Sequence, residues 1–240
     1  MCYSKESSRI SLIIHILSAI SLVTYGYFKN RNDMIVVGVV IFGIGTMQLA
    51  EYFIHDDIHC KKLFFKGMNT NRFGSLLGYY SLTIFQPLFA LLGLHLSNCN
   101  PALKTKLTFL WCLLFLFIQL STLPNFPKDK QLCTTKKICD SEYCSLEWPW
   151  NPWRLNKSFF GFIKWLMYFI IIVFIPLFAI NQSSLFFIAL IFHVLFSTNM
   201  SKIWSDASSC YWGPLLIYVL YFFDIPRKIP ELPFMNTLRT

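Results

Sequence analysis

The side chains of this sequence that could do chemistry are few, and most of them interrupt long apolar runs. Gln48, Glu51 and His55 follow one another at offsets of three and four residues, which puts them on one face of a helix. His193 stands alone in an apolar run. Cys210 opens the last run with Asp206 just before it, and Cys2 and Ser4 stand at the amino terminus. Smaller polar interruptions are His15, Gln86, His95 and Lys164. A charge at the centre of a membrane-spanning helix costs roughly 2.5–3.5 kcal/mol on insertion scales, so such residues mark function by default.

Cysteine, histidine and carboxylate together are the ligand set of zinc, and three protein ligands with one open position make a catalytic site. Cys2, Glu51, His193 and Cys210 are therefore the expected metal ligands, with Asp206 or His55 orienting them from behind. Ser4 and Gln48 belong to the same polar layer. In a catalytic version a zinc-bound water is the nucleophile and Glu51 a ligand or general base. The spacing matches no zinc signature, and the H-E-x-x-H pattern of a metalloprotease does not occur. Removal of Met1 would set a free amine beside the Cys2 thiol, a chelating or nucleophilic pair; an intact mass that retains Met1 would end that reading. Taken singly, Gln48 reads better as an interhelical hydrogen-bond partner. His193 alone reads as a packed histidine, and Lys164 as a side chain snorkelling to the surface. Convergence is what raises Cys2, Glu51 and Cys210 above that background.

The elements that must position these groups are helices in lipid. The chain has 240 residues, 55% hydrophobic and 14% charged, against roughly 25% charged in a soluble domain. Seven apolar runs, about 10–28, 34–54, 74–97, 107–123, 159–180, 185–200 and 209–223, approach the ~20 residues that cross a bilayer. They are apolar all round, which excludes the alternation of barrel strands. The expectation is an all-α polytopic bundle of seven spans, one membrane domain with a Cys/Trp-rich loop over 124–158. That loop holds Cys133, Cys139 and Cys144, and ends in a Trp-Pro-Trp-Asn-Pro-Trp stretch from Trp148 to Trp153. Three Trp with two Pro suit the headgroup level better than a helix.

Seven spans place the polar groups. Calling the side that holds the amino terminus side A, the side-A ends gather Cys2, Ser4, Glu51, His55, His193, Asp206 and Cys210, with His15 roughly 7–8 Å into the first helix from the same side, whereas His95 falls on the opposite side B. Of the 21 Lys and Arg, 14 fall on side A and 7 on side B, which orients side A to the cytosol and the carboxyl terminus outside or in a lumen. The loop cysteines argue the other way, since clustered cysteines often mean disulfides in an oxidising lumen; three is odd, so one needs another partner. The net charge of +9 is spread between the runs rather than gathered on one face, so no nucleic-acid partner is expected. The lipid bilayer is the partner, with a lipid or small molecule as ligand.

The opening Met1-Cys2-Tyr3-Ser4-Lys5-Glu6-Ser7-Ser8 resembles the start of a multi-span membrane protein family of bacteria and giant viruses whose bacterial members begin M-C-F-S-A-T-A-S. In that family the second helix carries Gln and Glu after a Phe-Gly-Ile run, and here Phe42-Gly43-Ile44 precedes Gln48 and Glu51. Its last helix opens with a Ser…Trp-Cys-Phe-like element, similar to Ser208-Ser209-Cys210-Tyr211-Trp212. The Cys-rich loop looks more like the viral type. Tyr3, Lys5 and Glu6 depart from the family, as does the loss of Trp before Cys210. The resemblance supports the choice of residues and implies no reaction.

Three functions compete on these observations. One is a metal-binding or structural membrane protein, one a metal-dependent intramembrane hydrolase acting on a lipid, and one a transporter or channel with Glu51 and Gln86 lining its path. Transport would favour broken helices, and Pro87 and Pro176 hint at breaks. A retinal receptor is disfavoured, because the last run has no Lys for a Schiff base.

Overall fold

The structure is a computed structural model and describes residues 4–65, 68–122, 134–136, 146–147, 159–185, 187–188 and 213–230. The chain is overwhelmingly helical. In order come α1 (Lys5–Phe28), α2 (Asn32–Asp56), a hairpin of β1 (Leu63–Phe65) and β2 (Met68–Asn69), α3 (Thr70–Leu96), α4 (Pro101–Thr122), a pair of two-residue strands β3 (Thr135–Lys136) and β4 (Leu146–Glu147), then α5 and α6. α5 is Phe159–Phe169 continued through Ile170–Phe174 and Ile175–Ala179, and α6 is Gly213–Phe222. Four helices, α1 to α4, are long and apolar enough to cross a membrane, and α5 contains a shorter apolar helix over Ile163–Ala179. That is the make-up of an integral membrane protein.

Their polarity is inverted relative to a soluble bundle. On α1 the exposed face carries Ile10, Ile13, Leu17 and Ile20, while Ser8, Ser11, His15 and Ser18 are buried. Both sets recur at three and four residues, so they are opposite stripes of one helix. α4 likewise exposes Phe109, Leu113, Leu116 and Leu120. Water would expel such a surface; lipid tails solvate it.

α2 is the central strut. α1 packs antiparallel along its whole length, and α3 lies on its other side. Small residues set the approach, as they do where lipid supplies no hydrophobic drive between helices. A Cβ at Gly74 of α3 would meet Ala50 O at 2.8 Å and Ile54 N at 2.9 Å. Those are backbone atoms that cannot step aside, so Gly74→Val is expected to cost about 1–3 kcal/mol, read as an earlier unfolding transition in mixed micelles.

α3 and α5 each contain a five-residue π-helical segment, Ser81–Phe85 and Ile170–Phe174, with Gln86 N on Ser81 O and Ile175 N on Ile170 O. Each ends two residues before a proline, Pro87 and Pro176. A proline ring collides with the carbonyl four residues back and supplies no N–H; one wide turn carries the ring past that carbonyl. The prolines that hinted at breaks are therefore absorbed without breaking the helix. The freed Thr83 carbonyl accepts a hydrogen bond from Gln119 Nε2 of α4. Gln119→Leu would strand that carbonyl among apolar groups and is expected to cost about 1–2 kcal/mol, with amide exchange quickening around Thr83.

On side A, Asp56 at the end of α2 pairs with Lys5 at the start of α1 and with Lys62 at 3.2 Å, so the ends of both helices are tied. Asn71 fastens the long loop to α3: its side chain donates to Thr134 O at 2.8 Å and accepts from Thr134 N at 2.9 Å. Lys164, expected to snorkel, donates to Ser121 O at 3.2 Å at the end of α4. Cys60 is disulfide-bonded.

On side B three helices end alike. Asn30, Asn181 and Asp224 have φ of 52°, 62° and 59°, the left-handed conformation that closes a helix. The next N–H then reaches back five residues: Arg31 N to Gly26 O at 2.7 Å, Gln182 N to Leu177 O at 2.8 Å, Ile225 N to Leu220 O at 3.0 Å. These turns deliver Arg31, Gln182 and Asp224 to one place, around Asp33 at the start of α2. Arg31 grips the Asp33 carboxylate with two nitrogens at 2.9 and 2.6 Å and Asp224 at 2.8 Å. The two-pronged bond to Asp33 and then the charge of Asp224 raise Arg31 further above its ordinary pKa, so it is a permanent cation beneath the carbonyl ends of the helices.

Candidate functional site

Sequence reasoning put its site in a layer at the side-A ends of the helices, and α1 and α2 supply the described part of it. Glu51 and Gln48 of α2 are buried there, Glu51 completely. On α1, Ser8, Ser11 and His15 are all fully buried. The two helices touch at Gly45, where a Cβ would stand 2.9 Å from His15 Cβ; any larger residue would push the imidazole out of the layer.

The state of His15 follows from its bonds. Nδ1 lies 2.8 Å from Ser11 O, and a carbonyl only accepts, so Nδ1 carries the proton. In the neutral ring Nε2 then holds the lone pair. It is buried and has no hydrogen-bond partner among the described residues. A tautomer fixed by a backbone carbonyl, with the other nitrogen free to accept, is the arrangement of a metal-ligating or proton-accepting histidine. Sequence reasoning saw His15 in this layer without giving it a role; the signal was its spacing from Ser8, Ser11 and Ser18, a polar stripe in an otherwise apolar run.

The remaining expected residues divide. His55 is half-buried in the last turn of α2. Ser4 is exposed and caps α1: its Oγ accepts from Ser7 N at 3.1 Å while Ser7 Oγ accepts from Ser4 N at 2.9 Å, a reciprocal cap that accounts for it without a site role. Cys2, His193, Asp206 and Cys210 lie outside the described residues. Among the described residues no three His, Cys, Asp or Glu gather closely enough to hold a metal; three of the four expected ligands are not among them.

A second polar path runs deeper, through the π turns. Tyr168 of α5 donates to Gln86 Oε1 of α3; Gln86 Nε2 donates to Ser81 Oγ at 3.2 Å; Ser81 lies 2.6 Å from Thr46 Oγ1 of α2, which donates to Gly43 O at 2.7 Å. Both ends of the Gln86 amide are thus engaged in joining three helices, the interhelical bonding expected of amides in lipid. Thr46, Ser81 and Tyr168 were missed from sequence. Hydroxyls are common in spanning helices, and only the fold showed which of them meet.

No protein-family model, no curated protein and no solved structure matches the chain.

Proposed function

We propose that this chain is a multi-pass membrane protein of seven spans whose working part is a zinc site in the side-A half of the bundle. The observation that carries the reading is two burials in the side-A halves of α2 and α1, a completely buried Glu51 and a buried His15 whose Nε2 is set to accept. Intramembrane carboxylates are costly and stay only where something uses them. Glu51 supplies the anionic ligand and His15 Nε2 joins Cys2, His193 and Cys210 as candidate donors. The amino-terminal likeness to the M-C-F-S-A-T-A-S family supports the same residues. A site with an open position would activate water for hydrolysis of a lipid ester or amide. Transport is the weaker reading, because Gln86 is engaged in cross-linking helices.

Seven crossings are supported by direction. α6 runs parallel to α1, with Ser21 3.4 Å from Tyr218 and the rings of Tyr25 and Phe222 6.3 Å apart. α5 and α6 both finish on side B, the direction that the fifth and seventh of seven spans would have.

The charge count places side A in the cytosol, and the Cys60 disulfide opposes it, because disulfides persist in oxidising compartments. After mild reduction, an impermeant maleimide is expected to label Cys60 only in permeabilised cells; labelling of intact cells reverses the orientation. The site itself is tested by zinc content. Protein purified in mild detergent without chelator is expected to carry about one zinc per chain, lost in Glu51→Gln, Cys2→Ala and Cys210→Ala. A metal-free wild type would sink the proposal.

A further inference from the structure

The opposite face of the bundle holds a chamber that the zinc reading does not use. At the side-B surface a cavity of about 560 Å³ opens among Asn32, Asp33, Asn98, Gln182, Arg227 and Pro230. Beneath it, among α2, α5 and α6, lies a second cavity of about 470 Å³ walled by aliphatic residues such as Val40, Ile44, Val173 and Leu216. Both volumes are in the range of ligand sites, roughly 300–1,000 Å³. The two adjoin. Ile229 lines both, and Tyr221, in the wall of the lower cavity, donates its hydroxyl to Gln182, in the wall of the upper one. A polar mouth at headgroup level over an apolar shaft between helices is the shape of an amphiphile.

The charges choose the head. Arg31 and Arg227 face Asp33 and Asp224 at 2.6 to 3.8 Å, two cations against two anions. A phosphate or carboxylate would have to pull an arginine from a carboxylate and lie beside Asp33. The uncharged polar side chains of the mouth are mostly amides, Asn30, Asn32, Asn98, Asn181 and Gln182, groups that both donate and accept. Hydroxyls and amides are what such a rim bonds. The shaft is short and small: its wall along α2 runs only from Val37 to Ile44, about two turns or ~10 Å, and its volume of about 470 Å³ suits one chain rather than two.

We propose that this chamber binds a single-chain lipid with an uncharged hydroxyl- or amide-bearing head, the head seated at Asn98, Gln182 and Asp33 and the chain between α2, α5 and α6. The site shares no residue with the proposed zinc site, and its test involves no metal, so the two fail separately.

The probe is a monoacylglycerol with a diazirine in its chain, photolysed with the full chain reconstituted in phosphatidylcholine vesicles. Saturable labelling is expected on peptides of α2, α5 or α6. Unlabelled monoacylglycerol should compete at least tenfold better than lysophosphatidic acid or a fatty acid of the same chain length. Leu216→Trp, which fills the shaft from a lipid-exposed position, and Asn98→Leu, which removes a head contact from an exposed loop, should each cut labelling tenfold, with elution profile and unfolding transition unchanged as the control for folding. Labelling that does not saturate, or is equal in both variants, overturns the site. Equal or better competition by the anionic lipids overturns the choice of head.

Discussion

Glu51→Ala is expected to remove zinc from the protein without unfolding it. The carboxylate is the one anionic donor buried completely in the described part of the polar layer, and loss of even an outer partner of a metal ligand typically weakens binding by 10–100-fold. Loss of a ligand itself should weaken it by ~100-fold or more. Metal content per chain, measured beside a competing chelator of known affinity, reads this directly. Stability should move the other way. Without metal a buried carboxylate is a liability to a helix in lipid, so metal-free Glu51→Leu is expected to unfold no earlier than metal-free wild type. A structural Glu51, kept only to bond α2 to its neighbours, would give the reverse: zinc unaffected or never present, and a clear drop in unfolding free energy. The paired measurement therefore distinguishes a working residue from a fastening one.

The second large effect is expected at Asp33, on the other face. Its side chain is 9% exposed and that of its partner Arg31 13%, and Arg31, Arg227 and Gln182 all converge on it. Breaking a buried pair by removing one member costs roughly 3–5 kcal/mol, because the other charge is left in a poor solvent. Here Asp224 remains beside Arg31, so Asp33→Ala is expected to cost about 2–3 kcal/mol, seen as an earlier transition in mixed-micelle unfolding. The double variant Arg31→Met with Asp33→Leu should recover at least half of that loss, since it leaves no stranded charge. If the double variant is as unstable as the sum of the singles, the ion pair is not what holds the three helix ends together.

Much of this organisation is written in local sequence. The helices follow from apolar runs near bilayer length, because in lipid a chain satisfies its backbone amides within itself; the expected third run began at Gly74, and the helix starts four residues earlier because Asn69 accepts from Arg72 N at 2.7 Å and caps it. The importance of Glu51 is also local, a carboxylate where lipid should be. What the sequence left open is which polar groups meet. Two short hairpin pairings, β1–β2 and β3–β4, fell in loops whose local pattern was too brief to announce strands. Pro87 and Pro176 looked like breaks, and the fold absorbed both as π turns; at Pro87 the carbonyl it frees, Thr83 O, is met by Gln119, 36 residues away. Nothing in the local sequence sets Asp33 and Arg31 apart from other loop charges, yet they meet residues some 150 to 190 positions away. Hydropathy depends on each residue and its neighbours along one helix, so the sequence by itself determined the helical, membrane-suited character of the chain, with four helices long and apolar enough to span, and the candidate carboxylate. Partnership depends on distances between helices, so only the tertiary structure decided that His15 keeps a buried nitrogen with no partner among the described residues, that Ser4 is a cap, and that side B holds a chamber.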